Sequence, residues 1–173
     1  MKNIIRGKNN RIIINSHIPI NFFLLFICLC GCTVQVPYDF NFVAIFGIME
    51  ENEVNTFKNT YKRTYDWDKD TIVPFVLSEK QKKLIYKMIK CYSIEEIPNV
   101  FEPKSNKTIS PSPTYYLKYK MHELDKEIIW ETNVNSKERH AKQLRSIFFE
   151  IENFVNENKL LIQKLPKDIR GKL

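Results

Sequence analysis

Two stretches of the chain alternate between apolar and polar residues, and this period of two constrains the fold more than any other feature of the sequence. In residues 56–65 the aromatic side chains share one face: Phe57, Tyr61 and Tyr65. In residues 114–121 the large side chains do the same: Tyr115, Leu117, Tyr119 and Met121. Successive side chains of a strand point to opposite faces, so both stretches are predicted to be half-buried antiparallel strands.

Other segments extend this pattern. Residues 72–77 are predicted to return as a second strand, and residues 126–132 are predicted to pair with 114–121 as a hairpin. The apolar run at residues 40–49 favours an additional first strand, because an exposed apolar segment of that length would promote aggregation.

Two amphipathic segments are predicted helices. Ser78 and Gln81 form a capping box at the start of the first, whose apolar stripe is Leu84, Ile85, Met88 and Ile89. The second is predicted to start near Asn135 with Glu138 as its capping partner, and its core face is Leu144, Ile147, Phe148, Ile151, Phe154 and Val155. The order (β)-β-β-α-β-β-α indicates an α+β fold, an antiparallel sheet of four to five strands with two helices packed on one face.

The positive charge of the chain is concentrated near its N-terminus. The sequence contains 27 Lys and Arg residues against 20 Asp and Glu, a formal net charge of +7. Residues 1–31 hold four basic residues and no acidic one, so the rest of the chain carries only +3. Lysines outnumber arginines by 21 to 6, whereas arginine is the residue best suited to bidentate phosphate or base contacts. The composition therefore argues against a nucleic-acid partner.

The basic N-terminal segment leads into a short apolar run. Residues 22–29 are eight consecutive apolar residues, too few to span a bilayer and typical of the apolar region of a signal peptide. The run ends in Leu29-Cys30-Gly31-Cys32. This tetrad resembles the lipobox of bacterial lipoproteins, in which a leucine and two small residues precede an obligatory cysteine.

The resemblance implies a lipoprotein precursor. Signal peptide 1–31 would be removed after Gly31, and Cys32 would be acylated. Cys30 departs from the usual Ala, Ser, Thr or Val at its position. An uncleaved anchor or an ordinary secretory signal are the alternatives for this segment. The rest of the chain resembles, in its abundance of Ile, Asn and Lys, small lipoproteins of unknown function.

Lipidation at Cys32 would divide the mature chain into a tether and a domain. Residues 32–39 are the predicted tether, and residues 40–173 a single globular domain with a Pro- and Ser-rich loop at 102–113. The protein is then expected at the cell membrane or outer membrane, lipid-anchored and exposed outside the cytoplasm, with membrane lipid as its first partner.

Two weak binding candidates stand out in the domain. Four lysines recur at helical spacing and could face anionic headgroups or an acidic envelope polymer: Lys80, Lys83, Lys87 and Lys90. A solvated helix face in a lysine-rich protein is the plainer interpretation. Tyr116 lies opposite the apolar set of its strand, beside Lys118 and Lys120, and is the aromatic residue most expected to be exposed.

The sequence predicts no catalytic residues, metal site or cofactor. Asp66, Asp68 and Asp70 match the start of a calcium loop, but Thr71 and Leu77 stand where an EF-hand needs Gly and Glu. Cys91 has no histidine near it in sequence and is interpreted as a small buried apolar residue. Carboxylate pairs such as Glu95 and Glu96 leave open an acid–base role.

Three functions remain as hypotheses. The first is a non-enzymatic envelope module that binds a protein or an envelope polymer. The second is a small envelope hydrolase that uses carboxylates such as Glu95, Glu96, Asp66 or Asp68. The third is an immunity-type lipoprotein that protects the cell from a toxin at the membrane.

Overall fold

Six antiparallel strands form one sheet in the computed structural model, which describes residues 35–48, 50–66, 69–104 and 112–166. The strands are β1 (Asn41–Ile48), β2 (Asn52–Asn55), β3 (Thr60–Asp66), β4 (Lys69–Pro74), β5 (Pro113–Met121) and β6 (Leu124–Trp130). Their order across the sheet is β4-β3-β2-β1-β5-β6. The signal segment, Cys32, Asp68 and residues 105–111 of the predicted loop lie outside the described residues.

Two main helices complete the fold. They are α1 (Glu79–Cys91) and α2 (Arg139–Glu157), followed by a short α3 (Lys159–Lys164). The meander β1–β4 leads into α1, which connects the β4 edge to β5 on the other side of β1. The predicted α+β class and the antiparallel sheet are confirmed, with six strands in place of four to five.

A single row of side chains crosses the whole sheet on its buried face. Register pairs its members strand by strand, from β6 to β4: Ile128, Leu117, Ala44, Val54, Tyr61 and Val73. All six are at most 8% exposed. The inward residues of both helices join the same core, among them Ile85, Ile89, Leu144 and Ile147. Residues 34–173 therefore form one compact unit around its own apolar core.

The start of α1 is the one predicted in the sequence. The Ser78 side chain accepts a hydrogen bond from the Gln81 N–H, and the Gln81 side chain accepts one from the Ser78 N–H. This reciprocal cap satisfies two of the amide donors that a helix start leaves unpaired.

The start of α2 differs from the prediction. Asn135 belongs to a turn, the helix begins at Arg139, and Glu138 is the residue before it without a side-chain cap. Glu138 instead accepts a hydrogen bond from the Lys104 N–H at 2.9 Å. Arg145 stabilises the turn, because its guanidinium donates to the carbonyl oxygens of Val134 and Ser136. The sequence pattern could not predict these contacts of Glu138 and Arg145, because their partners are distant in sequence or lie outside the helix.

The first hairpin is also built differently from the prediction. Residues 56–59 form a turn, and Phe57 is 46% exposed instead of lying on the core face. The strand that the sequence analysis did not predict is β2, which has only four residues and one large apolar side chain, Val54. Such a short strand leaves no alternation to detect, and its pairing with β1 and β3 defines it.

The outer edge of β6 is partly covered. Phe101 donates its N–H to the Ile129 carbonyl at 2.9 Å, and Ile129 donates its own to the Asn99 carbonyl at 2.7 Å. This parallel bridge centres on Val100 and Ile129. It satisfies ladder groups that would otherwise be open at the sheet edge. On the buried side, Phe101 packs edge-on against Trp130 at 5.5 Å between ring centroids.

Truncation of the central row is predicted to cost stability. Leu117 is fully buried between Ala44 and Ile128, so Leu117→Ala should lower the free energy of unfolding by about 2–5 kcal/mol. The matched control is Ile72→Ala, since Ile72 is 64% exposed and its change should stay within about 0.5 kcal/mol. Urea unfolding of residues 34–173 measures both. Equal losses in the two variants would contradict the assigned core.

Candidate functional site

Three of the four predicted lysines line a groove between the two main helices. Lys80, Lys83 and Lys87 project from α1, and Glu150 and Glu157 of α2 lie on the other wall. The groove has a volume of about 550 Å³ and includes the apolar side chains of Leu84 and Phe154. Lys80, Lys83 and Lys87 therefore share one surface of α1, and the carboxylates of Glu150 and Glu157 face them across the groove.

Leu84 does not belong to the buried stripe predicted for α1. It is 39% exposed, while the residues of α1 that are buried are Ile85, Tyr86 and Ile89. The apolar periodicity of α1 predicted Leu84 to be buried, because the sequence of α1 does not indicate where α2 packs against it. Leu84 lies one turn from both Lys80 and Lys87, so an apolar side chain is set into the basic surface.

The remaining lysines of α1 make defined contacts. Lys90 does not line the groove; its ammonium donates to the Glu95 carboxylate at 3.0 Å. Lys82, which the sequence analysis did not single out, donates to Asn41 Oδ1 at 3.3 Å. That bond connects α1 to the first residue of β1.

Tyr116 lies on the opposite side of the molecule. Its strand pairs it with Ile45 on β1 and Ile129 on β6, and all three side chains are half-buried on the sheet face that carries no helix. Val100, 60% exposed, continues this row beyond Ile129. Tyr116 and the lysines are thus separated by the sheet and cannot form one site.

Charged residues frame that apolar row and pair with one another. Lys62 lies 3.9 Å from Glu53 and 3.7 Å from Asp70, and Lys118 lies 3.7 Å from Asp125. Partial burial raises the pKa of Tyr116, and a hydrogen bond to the Glu127 carboxylate adds to the shift. The uncovered face is therefore apolar at its centre and nearly balanced in charge around it.

A second cavity lies where β1, β5 and α2 meet. It has a volume of about 450 Å³ and is lined by aromatic rings and by Glu152, Asn52 and Arg145. Arg145 already donates to two backbone carbonyls and stacks over Trp130 at 5.7 Å. These contacts give it a positioning role for the turn before α2. Sequence reasoning missed Arg145 because no local motif marks it.

Cys91, Glu95 and Glu96, which were considered for catalysis, lie at and just after the end of α1. Glu95 belongs to a short 3-10 turn (Ile94–Glu96) and is bonded to Lys90, while the neighbouring Glu96 is exposed. Cys91 is exposed at the end of α1, which corrects its interpretation as a buried residue. In the described parts of the chain, no group of three His, Cys, Asp or Glu residues could hold a metal ion. The hydrolase hypothesis gains no support from these positions.

Burial raises the pKa of two tyrosines of the core, Tyr61 and Tyr119. Burial raises the pKa of Tyr61 to about 12, and its hydroxyl donates to Asn52 Oδ1 at 2.5 Å. Burial also raises the pKa of Tyr119, and the nearby Glu95 carboxylate raises it further. Both effects disfavour the tyrosinate form.

Comparison with known proteins identified no matching family model, curated protein or solved structure. Across the described residues, no helix is both long enough and apolar enough to cross a membrane.

Alkaline pH is predicted to destabilise the fold through Tyr61. An unfolded tyrosine ionises near pH 10, whereas folded Tyr61 holds its proton to about pH 12. Stability is thus fully present below pH 10 and falls by about 3 kcal/mol between about pH 10 and 12. The variant Tyr61→Phe should lose the hydrogen bond to Asn52. Because phenylalanine does not ionise, its free energy of unfolding, measured with urea, should fall less steeply between about pH 10 and 12 than that of the wild type. An unchanged pH slope in that variant would contradict the assignment.

Proposed function

We propose that the protein is a lipid-anchored envelope protein whose domain is a non-enzymatic binding module. The lipobox-like sequence ending at Cys32 supports the anchor. The half-buried apolar row on the uncovered sheet face supports the binding role. Glu95 is paired with Lys90, and the binding hypothesis needs no catalytic group.

The observation that carries the binding proposal is the row formed by Ile45, Tyr116, Ile129 and Val100. These side chains come from three adjacent strands and the edge bridge, so they form a contiguous apolar patch on a rigid sheet. Interfaces with proteins commonly centre on tyrosine and apolar anchors surrounded by polar groups. Tyr116 is the central aromatic residue of this patch.

The charge of the patch favours a protein over a charged polymer. The neighbouring charges, counted on the same face of the strands, are three basic and four acidic residues: Lys62, Lys118, Lys120, Glu53, Asp70, Asp125 and Glu127. Their mutual ion pairs leave little net field to attract a polyanion. We therefore assign this face to a protein partner with an apolar contact surface.

The anchor is tested by labelling with palmitate. Cells that express the wild-type chain should incorporate label into the protein, and Cys32→Ala should abolish incorporation because acylation needs that thiol. Cys91→Ser is the matched control and should label like the wild type. Label that persists in Cys32→Ala, or its absence from all three proteins, would overturn the anchor.

The binding face is tested by photo-crosslinking in intact cells. A photoreactive phenylalanine analogue at position 116 should yield a discrete adduct with one protein. Ile45→Lys in the same chain should remove that adduct, because a charge would enter the apolar contact. The same analogue at position 57, in the β2–β3 turn, is the control. Adducts of equal yield from both positions would contradict the assignment, and an adduct of the chain with itself would indicate self-association.

A further inference from the structure

The charge of the domain is strongly uneven between the helix α1 and the sheet. α1 contains five lysines and a single acidic residue, a net charge of +4 in thirteen residues. The six strands together contain six basic and five acidic residues, a net charge of only +1. The helix α2 holds three basic and three acidic residues and adds no net charge, so the basic character of the domain is displayed on α1.

The N-terminal end of the domain packs beside the same helix. Phe40 packs against Tyr86 of α1 with ring centroids 5.2 Å apart, and the Lys82 ammonium contacts Asn41 at 3.3 Å. Val36 already packs against the core. Only three residues of chain separate Val36 from Cys32, and the four Cα–Cα steps between them span at most about 14 Å.

An acyl group on Cys32 would therefore keep this side of the domain near the bilayer. Lys83 lies one turn before Tyr86, and Lys80 and Lys87 follow around the helix toward the groove. A lysine side chain can extend several ångströms while its stem covers apolar surface. Its ammonium is thus within reach of headgroups once the tether holds the domain at the surface.

Apolar side chains accompany the lysines. Leu84 lies between Lys80 and Lys87. Two more exposed apolar residues line neighbouring pockets that share Glu150 or Glu157 with the groove: Phe149 at 63% and Leu160 at 72% exposure. Surface-bound helices combine lysines with apolar residues that enter the headgroup boundary. A soluble acidic polymer would engage the lysines without requiring these apolar side chains.

We propose that the lysine face of α1 binds anionic phospholipid headgroups and orients the domain with its helices toward the bilayer. This inference rests on the proposed anchor at Cys32. With the helices against the membrane, the uncovered sheet face points away from it, which leaves the Tyr116 row accessible to a protein partner. Membrane contact and partner binding thus use opposite sides of one sheet.

Vesicle binding tests the lipid assignment directly. Residues 34–173 form a compact unit with its own core, and urea unfolding verifies each variant. This unit should bind vesicles that contain phosphatidylglycerol and not vesicles of phosphatidylcholine alone. Changing Lys80, Lys83 and Lys87 to Gln should weaken binding about 100-fold, because each lysine near an anionic surface contributes roughly fivefold.

The matched control removes the same charge elsewhere. Three exposed lysines away from α1 are changed to Gln: Lys58, Lys104 and Lys120. This variant should bind nearly as well as the wild type. An equal loss in both triple variants would show attraction to net charge alone and overturn the proposal, as would failure of the wild-type unit to bind phosphatidylglycerol.

The single cysteine of the unit reports its orientation. A polarity-sensitive dye on exposed Cys91, at the end of α1, should shift to the blue when phosphatidylglycerol vesicles are added. The same dye on Ile72→Cys in a Cys91→Ser background marks the uncovered face and should not shift. A shift at position 72 alone would reverse the proposed orientation.

Two further outcomes separate the competing explanations. Leu84→Gln should weaken vesicle binding but leave binding to soluble poly(glycerol phosphate) unchanged; tighter binding to that polymer than to vesicles would overturn the lipid assignment. The unit lacks Cys32, so its vesicle binding is independent of acylation. Palmitate labelling in turn is independent of the lysines, and each proposal can therefore fail without the other.

Discussion

The fold depends on one continuous row of buried side chains that runs from β6 to β4. Each member of the row must point to the same face as its neighbour, so the register of all five strand pairings is fixed together. A slip of one residue in any pairing would turn that strand's apolar set toward solvent. Because both helices pack over this row, their positions follow from the register as well.

The same constraint separates the two candidate surfaces. Residues that alternate with the buried row must lie on the other face, and this places Tyr116, Ile45 and Ile129 side by side. The lysines of α1 lie on the opposite side of the sheet, on the outer surface of the helical layer. The domain thus has a basic, partly apolar surface on α1 and a charge-balanced apolar patch on the uncovered face of the sheet. The proposed membrane contact and the proposed partner binding use these opposite sides.

Local patterns predicted the elements whose causes are local. The capping box at Ser78 and Gln81 correctly started α1, since both partners lie within one turn. The start of α2 was predicted too early, because the contacts of Arg145 and Glu138 reach residues that only the folded chain brings near. Strand β2 was missed because its pairing with two neighbours defines it and its four residues carry no period.

The sequence by itself determined the α+β class, the face that Tyr116 occupies and the lipobox-like motif at Cys32, because alternation and short motifs are properties of neighbouring residues. Only the tertiary structure decided that Leu84 and Cys91 are exposed, that Val36 packs on the core and that the N-terminal end of the domain packs beside α1. Burial and proximity depend on which distant elements meet in the folded chain. The local pattern of α1 does not contain the position of α2 or of the N-terminal end, so it cannot predict which residues of α1 they cover.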